Sequence, residues 1–196
     1  MSKINNLIDY ANKKKVFSAQ DVIGEGFSRS TLKQAVDKGL ITRWGVGSYS
    51  LEGTAPEDYF EIQRRHPSFI FSNETALYLH SLTDVAFSKY SVTVPTGYNM
   101  KSNKQFKAYY SKNEIYSLGI EEIVSPFGNV IRVYNIDKTI CDVIKNENRI
   151  ESQIFSQAIL YYADNNKKNL TRAIKYAKIM GIEKKLKSYL RVIQER

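Results

Sequence analysis

The chain has 196 residues, with 29 lysines and arginines against 20 aspartates and glutamates, a formal charge of +9. That length suits one domain with an appendage or two modest domains. A single cysteine excludes an intramolecular disulfide and a four-cysteine zinc site. No apolar run approaches the ~18 residues of a membrane span, and the N-terminus lacks a signal-peptide core, so the expectation is a soluble, cytoplasmic protein.

Residues 3–15 read as an opening helix, with Ile4, Leu7, Ile8 and Ala11 spaced to share one face. Lys13, Lys14 and Lys15 suit its negative dipole end. Ser18, with Asp21 three residues on, is a capping-box-like start to a short helix that Gly24 and Gly26 stop. Ser28 caps a second helix, in which Leu32, Ala35 and Val36 share a face, and Gly39 stands where a left-handed cap is expected. The other face carries Arg29, Ser30, Lys33, Gln34 and Lys38. Leu40 to Trp44 and Tyr49 to Leu51 then read as strands joined by Gly45-Val46-Gly47.

Two short helices and a hairpin predict a winged helix-turn-helix over residues 1–54, its second helix entering the major groove of DNA. Ser28, Arg29, Ser30, Lys33 and Gln34 are its candidate contacts, while Arg43 and Ser48 of the hairpin touch phosphate or the minor groove. Trp44 reads as a packing residue that fixes the hairpin. The competing reading is a small helical subdomain with no nucleic-acid role.

Glu52 to Pro56 is polar and broken by Gly and Pro, and marks the boundary of a second domain, residues 55–196. Glu57 to Arg65 looks helical, Phe69-Ile70-Phe71 is a short strand-like entry, and Ser72 caps the next helix. Tyr90 to Val94, Phe106 to Tyr110, Glu121 to Val124 and Val130 to Tyr134 alternate with period two. They predict a mostly antiparallel sheet of about four strands. Helices follow over Ile136 to Lys145, with Asp137 as cap, and over Glu151 to Tyr162, Leu170 to Met180 and Ile182 to Arg196. The fold class is therefore α+β: a winged helix followed by a sheet domain with basic helices.

Charge is uneven: residues 86–112 hold five lysines and no acid, and residues 164–196 hold ten basic and three acidic residues. Lys168, Arg172 and Lys175 fall on one helical face, opposite Ala173, Ile174 and Ala177, and Lys178 and Lys184 extend the basic region. Such a stripe attracts phosphates whatever their sequence; a solvated lysine face is the bland alternative. The 14 tyrosines invite a stacking role with single-stranded nucleic acid, which is set aside because most occupy periodic, half-buried positions.

Nothing marks an enzyme, a metal site or a cofactor site: there is no phosphate loop, no HExxH, no GxSxG and no His/Cys cluster. Cys141 sits in an apolar segment and reads as a core residue. His80 reads as structural on a packing helix, and His66, before a proline, as surface. A nuclease built from carboxylates and a lysine is the catalytic alternative.

Four segments carry a family likeness: LKQAVDKGLITRWGVGSYSL (Leu32 to Leu51), TALYLHSLTD (Thr75 to Asp84), SVTVP (Ser91 to Pro95) and VIRVYNIDKTICDVI (Val130 to Ile144). In this order the chain resembles the AbiEi family, antitoxins of the type IV, abortive-infection toxin–antitoxin systems. Lys138 stands where that family's RTxxD element has arginine, and lysine is a point charge rather than a fork. A cap or local pair remains open to Asp142. The resemblance implies an autorepressor that binds inverted repeats in its own promoter as double-stranded DNA. It also implies an antitoxin that counteracts a nucleotidyltransferase-like toxin without a stable complex, its basic C-terminal face serving DNA binding or antitoxicity. The oligomeric state stays open, a monomer in solution included. An ordinary winged-helix regulator with a ligand-sensing or dimerising C-terminal domain is the rival.

Overall fold

The computed structural model describes residues 3–14, 16–44, 48–51, 58–100, 103–125 and 128–194. The chain divides into two compact units, Met1–Arg64 and Arg65–Arg196. The expected Gly45-Val46-Gly47 turn, the Glu52 to Pro56 link and Lys15 lie outside the described residues, as do the side chains of Trp44 and Ser48.

The first unit runs α1 (Lys3–Lys14), β1 (Val16–Ser18), α2 (Ala19–Gly24), α3 (Arg29–Asp37), β2 (Ile41–Trp44), β3 (Ser48–Leu51) and α4 (Asp58–Arg65). Ser18 and Asp21 close a reciprocal capping box on α2: the Asp21 N–H donates to Ser18 Oγ at 3.1 Å, and the Ser18 N–H to Asp21 Oδ2 at 2.6 Å. Helix α3 ends in a Schellman motif. Gly39, at φ +70°, donates to the Val36 carbonyl, and Leu40 to that of Ala35; only glycine enters that region without strain. Strand β1 has no counterpart among the predicted strands. It pairs antiparallel with β3, which pairs antiparallel with β2, giving the order β1-β3-β2. Leu7, Ala11, Phe17, Val22, Leu32, Ala35 and Ile41 form the core, one apolar face from each helix and one from the sheet.

The second unit contains β4 (Ile70–Phe71), α5 (Asn73–Leu79), β5 (Tyr90–Pro95), β6 (Phe106–Ser111), α6 (Asn113–Tyr116), β7 (Ile120–Val124), β8 (Val130–Tyr134), α7 (Ile136–Lys145), α8 (Ser152–Asp164), α9 (Leu170–Ile179) and α10 (Glu183–Gln194). A single 3₁₀ turn, Glu147–Arg149, separates α7 from α8.

The expected four-stranded, mostly antiparallel sheet is instead five-stranded and mixed, in the order β6-β5-β4-β8-β7. The pairs β4·β8 and β5·β6 are parallel, and β4·β5 and β7·β8 antiparallel. The two-residue β4 is the central strand, its Ile70 and Phe71 fully buried. Parallel pairing of β5 with β6 sends residues 96–105 back along a whole strand length, since Tyr90 stands beside Phe106 and Pro95 beside Ser111. The sheet ends on β6 and β7, and β7 carries Glu121 and Glu122 on opposite faces.

Helix α7 is the hub of the core, with every residue from Ile136 to Ile144 buried. Its apolar positions Ile140, Val143 and Ile144 pack with Leu77, Ile154, Ala158, Ala173, Ala177 and Leu186. The cap of α7 is Asn135, whose Oδ1 accepts the Lys138 N–H at 3.0 Å. Asp137, expected as the cap, is fully buried and tied to later helices. Ser72 precedes α5 without capping it; its Oγ accepts from Thr93 Oγ1 at 2.8 Å and from Asn73 Nδ2 at 3.2 Å.

Two buried polar nodes sit on α7. Lys138 Nζ donates to both carboxylate oxygens of Asp142 at 2.7 Å and lies 4.1 Å from the centre of the Tyr134 ring. Asp142 thus makes the local pair left open to it. Cys141 donates to the Ala173 carbonyl at 3.4 Å, and burial pushes its thiol up to about 12, which removes it as a nucleophile near neutral pH.

Candidate nucleic-acid interface

Helix α3 is fixed at its start by Ser28, whose Oγ accepts the Thr31 N–H at 3.1 Å. That hydroxyl also lies 2.7 Å from Ser30 Oγ and 2.8 Å from Thr31 Oγ1, so Ser28 and Ser30 are partners in the cap itself. Thr31, Leu32 and Ala35 are buried, which leaves Arg29, Ser30, Lys33 and Gln34 exposed on the other face. Strand β2 sets Arg43 opposite Tyr49 of β3. The Tyr49 ring stacks on buried Phe17, with centres 6.2 Å apart and planes 17° apart, which anchors the hairpin to β1.

Arg29, Lys33 and Arg43 line a single groove of about 450 Å³, floored by Leu32, Val36 and Tyr49, with Asp37 the one carboxylate in its wall among the described residues. Three cations from a helix and a strand around a concave apolar floor can hold a phosphodiester while aliphatic stems pack against sugar. Sequence reasoning proposed these three as separate contacts, and the structure brings them together. Ser30 and Gln34 lie on the same helix face outside that lining. Ser48 pairs with Trp44 through the backbone of the hairpin.

The C-terminal basic residues are less uniform than their spacing suggests. Arg172 is committed: its Nε donates to Asp137 Oδ2 at 2.5 Å, while Asp137 Oδ1 accepts from the Tyr162 hydroxyl at 2.8 Å and the Asn169 N–H at 3.0 Å. Lys168 is half-buried, its ammonium 3.3 Å from the Asn165 carbonyl. Lys178 stands 4.0 Å from Glu183, which Lys187 approaches at 2.7 Å, and Lys185 meets Glu147 at 2.7 Å. Lys175 and Lys184 are exposed and make no ion pair among the described residues. The basic surface of α9 and α10 therefore rests on Lys168, Lys175, Lys178 and Lys184, with Arg172 spent on the fold.

The remaining polar clusters serve packing. Burial lowers the His80 imidazole below its ordinary value, and its Nε2 lies 2.7 Å from the Tyr134 carbonyl, in keeping with a structural role. Glu74, buried at the sheet, pairs with Lys107 at 2.5 Å and accepts from Ser91 Oγ at 2.6 Å and the Tyr109 hydroxyl at 3.3 Å. This is a carboxylate–lysine pair of the kind a nuclease uses, yet every contact is a donor of the fold. Among the described residues no group of three or more His, Cys, Asp or Glu is placed to hold a metal ion. No helix among them is long and apolar enough to cross a membrane.

His66, read as a surface residue, instead stacks on Phe69, with ring centres 4.4 Å apart and planes 11° apart. Phe106 and Tyr98 meet Phe69 edge-on at 5.2 and 5.8 Å. With Asn99 and Asn103 these rings line a cavity of about 410 Å³. Its walls come from the residues before β4 and from the crossover between β5 and β6. No sequence period signals that meeting; only the parallel pairing creates it.

Fold and site together define a two-unit α+β protein with a cationic groove on its smaller unit. No protein-family model matches the chain, and no curated protein is significantly similar to it. Among solved structures it is similar to one described as the crystal structure of the RV2827C protein from Mycobacterium tuberculosis. The likeness has a TM-score of 0.57 at 10% identity, over 89% of this chain and 69% of that one. At such identity it concerns the fold.

Proposed function

We propose that the chain is a DNA-binding autorepressor that doubles as the antitoxin of a type IV toxin–antitoxin operon. In this reading the first unit is a winged helix-turn-helix, α3 its recognition helix and β2–β3 its wing. The observation that carries the DNA-binding half is the convergence of Arg29, Lys33 and Arg43 on one groove. The antitoxin half is supported by the four AbiEi-like segments in their order. Promoter inverted repeats are the proposed DNA, and a nucleotidyltransferase-like toxin the functional partner, opposed without a stable complex.

Binding of the full chain to a duplex from its own upstream region, against a scrambled duplex, tests the first half. A good base contact is worth about 1–3 kcal/mol of discrimination. Arg29→Ala should therefore weaken operator binding far more than binding to scrambled DNA. Equal losses on both duplexes make Arg29 a phosphate contact, and no preference for the operator in the wild type refutes the reading.

The second half is tested by co-expressing the neighbouring toxin with the full chain, residues 1–54 or residues 55–196. Charge reversal at Lys168, Lys175 and Lys178 leaves the Arg172–Asp137 tie intact and should impair repression and rescue together. Full repression with full rescue reduces the C-terminal charge to a solvated face, and loss of rescue alone separates the two roles. A second reading, an ordinary winged-helix regulator that senses a small ligand, draws on the ring-lined cavity of the second unit.

A further inference from the structure

The cavity beside β4 is lined differently from the groove on α3. Four aromatic rings contribute, those of His66, Phe69, Tyr98 and Phe106, and no carboxylate does among the described residues. Phe69 is buried and immobilised by its three ring neighbours, so the wall it anchors is rigid rather than collapsible. Tyr98 is not one of the tyrosines at a periodic strand position. It sits in the β5–β6 crossover, after a turn in which its N–H donates to the Pro95 carbonyl at 3.0 Å. Burial and the nearby Arg65 charge hold the His66 imidazole below its ordinary range, so near pH 7 it is a neutral ring with one donor and one acceptor.

The polar part of the lining is made of amides. Asn103 Oδ1 accepts the Gln105 N–H at 2.9 Å, which fixes its loop and leaves its two Nδ2 hydrogens without a protein acceptor among the described residues. The Asn99 side chain makes no hydrogen bond among them. Flat apolar walls, a neutral imidazole and free amides are the groups that recognise a planar heteroaromatic ring with donors and acceptors on its edge. The cavity, about 410 Å³, falls within the roughly 300–1,000 Å³ of small-ligand sites and has room for a base with its sugar. Lys104, exposed and next to Asn103 in the chain, favours a ligand that also carries phosphate.

We propose that this cavity is a nucleobase-binding site, in which the Tyr98 ring stacks on a base, the His66 and Phe106 rings, set 78° to each other, close the pocket around it, and the Asn99 and Asn103 amides read its edge. The base comes either from a free nucleotide or from a splayed residue of single-stranded nucleic acid. The site is independent of the groove on α3, and the proposal does not rest on the DNA-binding reading of the first unit.

The test uses the full chain and two fluorescent probes whose emission falls on stacking: 2-aminopurine riboside 5′-monophosphate, and a short oligothymidylate carrying one 2-aminopurine. Saturable quenching of at least one is expected. Quenching of the mononucleotide identifies a nucleotide ligand, and quenching of the oligonucleotide alone identifies a single strand. Stacking contributes enough that Tyr98→Ala should weaken binding by about five- to a hundredfold, whereas Tyr98→Phe keeps the ring and should bind like wild type. Asn103→Asp keeps the oxygen that accepts the Gln105 N–H and replaces the amide donors with an anionic carboxylate. At that exposed position it leaves folding intact and should weaken the purine probe, so it decides the matter if Tyr98→Ala fails to fold. The proposal is overturned if neither probe is quenched at protein concentrations up to about 1 mM, or if Tyr98→Ala and Asn103→Asp both quench like wild type.

Discussion

Replacing Lys138 by methionine keeps its buried aliphatic stem and removes only the ammonium. That ammonium is 1% exposed, donates at 2.7 Å to both oxygens of Asp142, and sits over the Tyr134 ring. Losing one partner of a buried pair costs about 3–5 kcal/mol, because the other charge stays buried and uncompensated. Burial already raises the Asp142 carboxyl above its ordinary value, and Lys138 opposes that rise. In Lys138→Met the opposition is gone and the carboxyl rises further. A carboxyl raised in the folded state contributes stability that is present below its unfolded value and lost as pH climbs through the folded one. The deficit of the variant should therefore be larger at pH 7 than at pH 5, because at lower pH the buried carboxyl is more often neutral and leaves no uncompensated charge. Urea unfolding followed by circular dichroism at both pH values measures this. Lys138→Met with Asp142→Leu should recover much of the loss, since an apolar pair of similar volume leaves no charge behind. A cost below about 1 kcal/mol at pH 7, or the same cost at pH 5, refutes the reasoning.

Two further outcomes follow from positions described above. Arg43→Ala should weaken binding to any duplex and lower the slope of log K against log salt by about one unit, as loss of one phosphate contact does; an unchanged slope removes Arg43 from the interface. Gly119 has φ +68°, and a Cβ there would stand 2.8 Å from Lys138 Cβ and 3.0 Å from Asn135 Nδ2. Gly119→Ala should therefore lower thermal stability by more than the about 1–2 kcal/mol of left-handed strain alone. Gly181→Ala, at φ +71° with open space around it, supplies that baseline, and equal melting losses in the two variants would rule out the clash.

The parts of this chain that sequence made readable are those governed by neighbours along the chain. Ser18 with Asp21, Ser28 before α3 and Gly39 after it act through backbone groups three to five residues away, and each does what its spacing promised. The strands from Tyr90, Phe106 and Val130 were legible from their β-branched and aromatic residues, although β5 buries both faces, Ser91 and Thr93 as well as Val92 and Val94. Ile70-Phe71 and Val16–Ser18 are too short to show a period, so the centre of one sheet and an edge of the other were not legible as such. Parallel pairing of β5 with β6 depends on partners far apart in sequence, and with it the fate of His66 and Tyr98. On the α3 face the candidate cations were legible as a helical stripe, though their convergence with Arg43 required the hairpin to fold. Arg172 shows the converse: its spacing marks a surface cation, yet buried Asp137, on a helix formed much earlier in the chain, claims it. Net charge counted from the sequence therefore overstates the charge that α9 offers to a partner.

The acidic pair on β7 has a consequence for how the molecule behaves in concentrated solution. Because the five-stranded sheet ends there, its edge is a template for strand-to-strand docking of another copy. An antiparallel copy centred on Glu122 would set that carboxylate directly against its own image, and like charges facing across a ladder are unfavourable. A one-residue shift toward Glu121 sets Glu121 against Glu122, whereas the opposite shift separates them. Charge on this edge thus disfavours the registers that bring the pair together. Neutralising both residues to glutamine would lift that block.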